Sequence, residues 1–399
     1  MSTATVAWSR VARLALPAMR VWRASIHEEP ELSGEEVLTR EKILRALEEL
    51  GVRTRTFPGH LRGVVGMIGE DVPGPVVALR ADMDALPVVE ATGLAFRSKR
   101  PGVMHACGHD IHMASLLGAA QILSKERRAL AGPVKLLFQP SEEDGTVGGA
   151  QPMIDRGCLE RPKVDFVVGQ HVDPGLPLGR IGWGAGPFMA AADAFRITVR
   201  GRGGHASTPH QGPDAILVAS EIVTGLQALA SRVRDPTEPV VVSVGSIHGG
   251  TRHNILPETV VLEGTVRTVT AATRELMERS LRRRVRAIAA SLGARTTIVY
   301  QRGYPALINP PEATARVVRA LEVEFGRSAL VRVDRPLMGA EDFARYLEHV
   351  PGTFLRLGVG GTGPPASLHS SSFAPDERAM VVGAATLAAA AVGLQRGAR

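Results

Sequence analysis

Val134-Lys135-Leu136-Leu137-Phe138-Gln139-Pro140-Ser141-Glu142-Glu143-Asp144 runs from an apolar segment straight into an acidic turn. Val134–Phe138 reads as a short strand, and ligand-type side chains follow directly on it. The same order recurs on either side. Val76–Leu79 and Phe166–Val168 read as strands, and Ala114–Leu123 as a helix. Strands alternating with helices predict a mainly parallel α/β sheet. In such folds the chemistry sits just beyond the strand ends.

Downstream the pattern changes. Ala194–Val199 alternates apolar and polar residues and is followed by the turn Gly201-Arg202-Gly203-Gly204. A helix from Pro213 to about Val233, strands at Val240–Val244 and Thr259–Arg267, a helix from about Thr273 to Leu292 and a strand around Thr296–Tyr300 complete the unit. The order β-α-β-β-α-β is ferredoxin-like. The chain therefore reads as one α/β domain, residues 1–189 and 303–399, interrupted by an α+β insert at 190–302.

Composition bounds the alternatives. A length of 399 residues suits two or three domains at roughly 100–200 residues each. Hydrophobic residues at 44% and charged residues at 22% exclude a disordered or fibrous chain. With aromatics at 4%, the core must be built from Ala, Val, Leu and Ile. Two cysteines, Cys107 and Cys158, are too few for a disulfide scaffold and fit a reducing compartment. Ala379–Leu394 is apolar but falls short of the ~20 residues a bilayer span needs, so a packed helix is expected. The N-terminus carries Arg10, Arg13, Arg20 and Arg23 among Leu14, Leu16, Val21 and Ile26, a pattern shared by transit peptides and amphipathic helices. The helix is the simpler expectation, with a soluble, cytoplasmic location and no membrane partner. The net charge of +7 is densest at Arg279, Arg282, Arg283, Arg284 and Arg286. No aromatic residue is interleaved there, which favours a solvated helix face over a nucleic-acid site.

Four segments carry ligand-type residues. In Met104-His105-Ala106-Cys107-Gly108-His109-Asp110, a thiol and an imidazole flank a glycine and can turn onto one metal. A lone cysteine is otherwise a small core residue, the role expected of Cys158. Glu142 and Glu143 point in different directions, so one can bind metal while the other acts as a general base. Gly169-Gln170-His171-Val172 and Leu368-His369-Ser370 are the third and fourth. A single histidine is more often structural than ligating, and spacing alone does not show that these segments converge.

Seven motifs, taken together, resemble a known family. They are Arg80-Ala81-Asp82-Met83-Asp84-Ala85-Leu86-Pro87, the His105–Asp110 run, Gln139–Glu143, Gly203–Ser207, His253–Glu258, Met338–Phe343 and Leu368–Ser370. They look like the amidohydrolase branch of the aminoacylase/carboxypeptidase metallopeptidases, which includes hippurate hydrolases and indole-acetyl-amino-acid hydrolases. The resemblance spans about Ile26 to Asp376. It implies a mixed-sheet metallopeptidase catalytic domain with an inserted ferredoxin-like α+β dimerisation (lid) domain. It also implies two divalent metal ions per subunit, manganese or zinc. Cys107 would bridge them as a thiolate, with His109, Glu143, His171 and His369 completing the shells. Glu142 would be the base that activates water, and Asp84 would orient a ligand from behind. Asp82, where the wider family has a histidine, stays outside the metal set. His205 would reach across a homodimer, or a tetramer, to a partner's active site and hold the oxyanion. Asn254 would bind the substrate carboxylate or scissile carbonyl, unless it is only a turn residue before Pro257. His105 and His112 would flank the site without ligating.

Three positions depart from the family pattern. Ser141 stands where Ala is frequent, Ala340 where Ser is frequent, and Ser371 where Pro is frequent, which would loosen the loop holding His369. No proposed ligand is lost. The implied reaction is hydrolysis of the amide bond of N-acyl amino acids to a carboxylate and a free amino acid, by metal-bound water with Glu142 as base. The alternatives are a dipeptidase or carboxypeptidase with the same dinuclear site, and a non-catalytic metal-binding protein.

Overall fold

The computed structural model describes residues 6–361 and 367–397. The chain divides into two compact units. The first takes in the chain up to Gly186, then Ile308–Asp334 and Asp342 onward; the second takes in Pro187–Leu307 and Arg335–Glu341.

In the first unit, helices α1 (Trp8–Glu28) and α2 (Val37–Glu49) precede strands β1 (Arg53–Thr56), β2 (Val64–Ile68) and β3 (Val77–Asp82). Helix α3 (His109–Lys125), strand β4 (Val134–Gln139), helix α4 (Ala150–Asp155) and strands β5 (Phe166–Pro177) and β6 (Ile181–Trp183) follow. In the second unit come β7 (Ala191–Arg200), α5 (Ala215–Arg232), β8 (Val240–His248), β9 (Thr259–Thr268), α6 (Ala271–Ser291) and β10 (Arg295–Arg302). The first unit resumes with α7 (Pro311–Phe325), β11 (Leu330–Arg332), β12 (Gly352–Gly360) and α8 (Ala379–Arg396).

The first unit's sheet has eight strands in the order β1-β2-β4-β3-β5-β12-β6-β11. Its centre, β4-β3-β5-β12, is parallel, while β1-β2, β2-β4 and β12-β6 are antiparallel. The parallel centre is what the apolar runs predicted, since strands buried on both faces read as continuous hydrophobic stretches. Lys135 is the exception in β4. It is buried, and its ammonium donates to the carbonyl oxygens of Cys158, Glu160 and Pro162 at 3.1, 2.9 and 2.8 Å. Cys158 is a buried core residue, as expected, and burial pushes its thiol up to about 12.

α8 is buried along most of its length and packs against α1, α3 and α7. It is apolar enough to pass as a membrane span by composition, as is α5, but it serves as a core helix. α1 is the expected helix with an unexpected face. Leu14 and Val21 are 79% and 67% exposed, whereas Ala12, Ala15 and Met19 are buried. Small residues let α1 approach closely: a Cβ added at Gly118 of α3 would collide with Met19 Sδ. Arg23 is also buried, because its Nε donates to Asp110 Oδ2 at 2.8 Å.

The second unit has the strand order β8-β9-β7-β10, antiparallel throughout, with α5 and α6 packed together on the sheet. That is the ferredoxin-like arrangement. Asp214 caps α5 by accepting from Ile216 and Leu217 N–H. Of the arginine-rich face of α6, Arg282 pairs with Glu278 and lies over Tyr300, Arg284 donates to the Gly225 carbonyl, and Arg283 and Arg286 are exposed.

Candidate metal centre

Because β3, β4 and β5 run parallel, their C-terminal halves bring separate segments to one end of the sheet. Asp82 ends β3 in register with Gln139, which ends β4. His171 lies within β5 rather than beyond it, because that strand continues to Pro177. Cys107 and His109 flank Gly108, whose φ of 82° is left-handed. A Cβ there would meet Val172 Cγ2 at 2.6 Å, so only glycine makes this turn beside β5. His369, at φ 65°, is held by its own N–H, which donates to Ala106 O at 2.9 Å. The same loop is tied at Ser371, whose carbonyl accepts from Ala91 N at 2.8 Å.

These segments converge. Cys107 Sγ is 3.3 Å from His171 Nε2. His369 Nε2 is 3.3 Å from Glu143 Oε1, and His109 Nε2 is 3.9 Å from the same oxygen. Three sets of donors, Cys107-His109-His171, Cys107-Glu143-His369 and His109-Glu142-Glu143, each have ligand atoms within 4.8 Å of one another. Asp82 also forms such a set, with His109 and His112, although the sequence left it out of the metal group. Its oxygens are already engaged: Arg80 Nη1 is 2.6 Å from Oδ2 and His112 Nδ1 is 2.6 Å from Oδ1.

The imidazoles are oriented from behind. His109 Nδ1 donates to the Asp84 main-chain oxygen at 2.9 Å, and His171 Nδ1 donates to the Val172 carbonyl at 2.8 Å. Both rings therefore present Nε2 to the cluster. Asp84 does more than this, because its Oδ2 accepts from Glu143 N at 2.8 Å and from Ser33 Oγ at 2.6 Å. Burial opposes charging His109, but Asp82, Asp84 and Glu143 outweigh it and push its pKa up to about 10. Burial, with His112 nearby, pushes His171 down to about 3. Burial and the Glu143 and Glu142 carboxylates raise the Cys107 thiol well above its ordinary value. The cluster is thus rich in negative and electron-donating groups. His109 Nε2 is buried there with no hydrogen-bond partner among the described residues. Soft sulfur, imidazole and carboxylate donors aimed at each other fit divalent metal cations.

Several residues around the cluster, among them His105 and His112 expected to flank it without ligating, have surroundings that the sequence did not show. Val172 N donates to His112 Nε2 at 2.9 Å, so His112 carries its proton on Nδ1, facing Asp82. It is a neutral tie between β3 and β5 next to His171. Arg80 Nη2 is 2.8 Å from Asp342 Oδ1, and Gln139 Nε2 is 2.8 Å from both Asp342 oxygens. Asp342 Oδ2 also accepts from Gly149 and Ala150 N–H at 3.0 Å, closing the loop that carries the glutamates. His105 is buried with neither ring nitrogen bonded among the described residues, and burial keeps it neutral, its pKa down to about 3.

His205 and Asn254 belong to the second unit. A two-residue ladder pairs Gly204-His205 with Ile255-Leu256, and Ala206 N donates to Asn254 O at 3.1 Å, so the two residues are neighbours. Both are exposed. Ser207 N–H donates to His205 Nδ1 at 3.1 Å, leaving Nε2 to carry the proton of the neutral ring.

A model of peptidase family M20/M25/M40 matches residues 78–392. The chain belongs to that family. It is 42% identical over 373 residues, 93% of each chain, to thermostable carboxypeptidase 1 of Saccharolobus solfataricus. It is 40% identical to N-acetyl-L-cysteine deacetylase of Bacillus subtilis, over 90% of this chain and 84% of that one. A crystal structure described as a dinuclear metal binding peptidase of this family, also from Bacillus subtilis, superposes with a TM-score of 0.84 at 35% identity, covering 96% of this chain and 99% of that one. Membership of M20/M25/M40 makes the protein a metal-dependent hydrolase, as the motifs of its sequence indicated.

Proposed function

We propose that this M20 hydrolase cleaves the amide bond of N-acyl amino acids, with two divalent cations, manganese or zinc, held by Cys107, His109, Glu143, His171 and His369. The observation that carries this is the turn at Glu142-Glu143, which sets adjacent carboxylates into one donor cluster. Glu143 lies against His369 and His109, leaving Glu142 as the proton carrier. The deacetylase among the relatives favours an acyl substituent on the substrate nitrogen.

When bound, the cations supply Lewis acidity, polarising a carbonyl and acidifying water. Glu142 takes the proton of the attacking water and passes it to the departing nitrogen. His205, with its Nε2–H, donates to the oxygen that gains charge. Asn254 holds the substrate carboxylate or the scissile carbonyl. The insert at 190–302, within a catalytic domain of 1–189 and 303–399, is the dimerisation and lid domain, and it delivers His205 within a homodimer. The enzyme works on small substrates in the cytoplasm. A second reading, carboxypeptidase action at the same site, is favoured by the 42% identical carboxypeptidase.

The test is amine release from acetyl, benzoyl and indole-acetyl amino acids beside simple dipeptides, with protein reconstituted with manganese or zinc. Release confined to N-acyl substrates supports the first reading, and faster dipeptide cleavage the second. Glu142→Ala should lower turnover about 10³-fold with normal metal content. Turnover near that of the unaltered enzyme would remove Glu142 from the role of base.

A further inference from the structure

Glu36, the residue that opens α2, is fully buried. Its Oε1 accepts from Ser141 N at 2.8 Å and from Ser141 Oγ at 3.4 Å. Ser141 has φ 58°, a left-handed conformation that a residue with a side chain seldom adopts unless its surroundings impose it. On the other side of Glu142, Glu143 N donates to Asp84 Oδ2 at 2.8 Å. Two buried carboxylates, from segments far apart in sequence, therefore grip the main-chain N–H groups that bracket Glu142.

We infer that Glu36 is a positioning residue for Glu142, the partner of Asp84 in a carboxylate clamp that fixes the turn carrying the base. This rests on the reading of Glu142 given above. The segment bearing Glu36 is itself anchored. Glu31 Oε2 accepts from Thr39 N at 2.8 Å and Thr39 Oγ1 at 3.0 Å, Glu31 O accepts from Ala85 N at 2.8 Å, and Ser33 Oγ donates to Asp84 Oδ2 at 2.6 Å. Helix α2 thus transmits a fixed position to the Glu142 turn through one carboxylate. Burial and the nearby Asp84 charge push Glu36 up to about 7. A neutral acceptor of the same shape therefore suits this place as well as a charged one.

The experiment uses the manganese-loaded enzyme and an N-acyl amino acid substrate it turns over. Glu36→Leu fills the volume without an acceptor, and Glu36→Gln keeps an oxygen for the Ser141 N–H. In Glu36→Leu, kcat should fall roughly ten- to hundredfold, as expected for a base displaced by about an ångström, with KM and bound metal within twofold. Glu36→Gln should stay within about threefold of the unaltered kcat. If Glu36→Leu does not fold, Glu36→Asp, one methylene too short to reach, takes its place with the same expectation. A normal kcat in the Leu or Asp variant overturns the inference. So does an equal loss in Glu36→Gln, or a loss that follows metal content. Glu142→Ala is measured alongside. If it is inactive while Glu36→Leu is normal, only the clamp fails. If it remains active, the assignment of the base fails first.

Discussion

The donor cluster of the first unit and the His205–Asn254 pair of the second hold their imidazoles in different ways. In the cluster, His109, His112 and His171 are each fixed by a main-chain or carboxylate partner, and His109 and His112 are fully buried. Behind them Arg80, Asp82, Gln139 and Asp342 form a closed set of charge-assisted bonds with no solvent exposure. In the second unit, His205 stands exposed on a two-residue ladder, with Ser207 as its side-chain partner. The buried arrangement specifies geometry in the low-dielectric interior, where each lost partner leaves a costly orphan. The exposed one fixes a tautomer and little else. Substitutions among these buried histidines and the Arg80 set should therefore register in stability and metal affinity, and those in the second region in turnover alone.

The largest effect is expected at Arg80. Arg80→Met removes the cation shared by Asp82 and Asp342 and leaves two buried carboxylates short of a partner. Breaking such a pair from one side should cost about 3–5 kcal/mol, read from urea denaturation. A loss below about 1 kcal/mol, the range of exposed pairs, would erase the contrast. Next comes His205→Ala. It should lower turnover about 100-fold, as for loss of one oxyanion donor, with unfolding midpoint and metal content unchanged. A drop in metal content would show that His205 belongs to the same structural class as the cluster. His112→Phe should keep the packing but lose both ties, weakening metal binding 10- to 100-fold in a competition titration with a chelator. Unchanged affinity would mean that β5 holds His171 without help from His112.

These differences also explain what could be seen in the sequence. Cys107, His109, Glu142, Glu143, His171 and His369 stand in short motifs, and their convergence follows from parallel strands that place their ends together. The β-α-β-β-α-β order was equally plain, because alternation and loop glycines are local. The face of α1 was not. Hydrophobicity singled out Leu14 and Val21, yet close helix packing selected Ala12, Ala15 and Met19, because small side chains permit the approach. The role of Glu36 and the partners of His112 were hidden for another reason. Glu36 meets Ser141 across 105 positions, and His112 meets Val172 across 60, so nothing near either residue in the sequence records its partner. Arg23 reads as one more surface arginine until Asp110 appears beside it.

Ser207→Ala should have the smallest effect, and it probes the exposed region most finely. Ser207 offers His205 Nδ1 two donors, its main-chain N–H at 3.1 Å and its hydroxyl at 2.7 Å. An N–H can only donate, so Nδ1 must accept and the proton of the neutral ring must sit on Nε2. Alanine keeps the main-chain donor and loses the hydroxyl. The tautomer therefore survives while the ring gains rotational freedom, and turnover should fall only about two- to fivefold, the equivalent of a neutral hydrogen bond of roughly 0.5–1 kcal/mol. A loss as large as that of His205→Ala would mean that the hydroxyl, not the backbone, sets the imidazole. In that case the exposed pair would rely on side-chain partners as strictly as the buried cluster does.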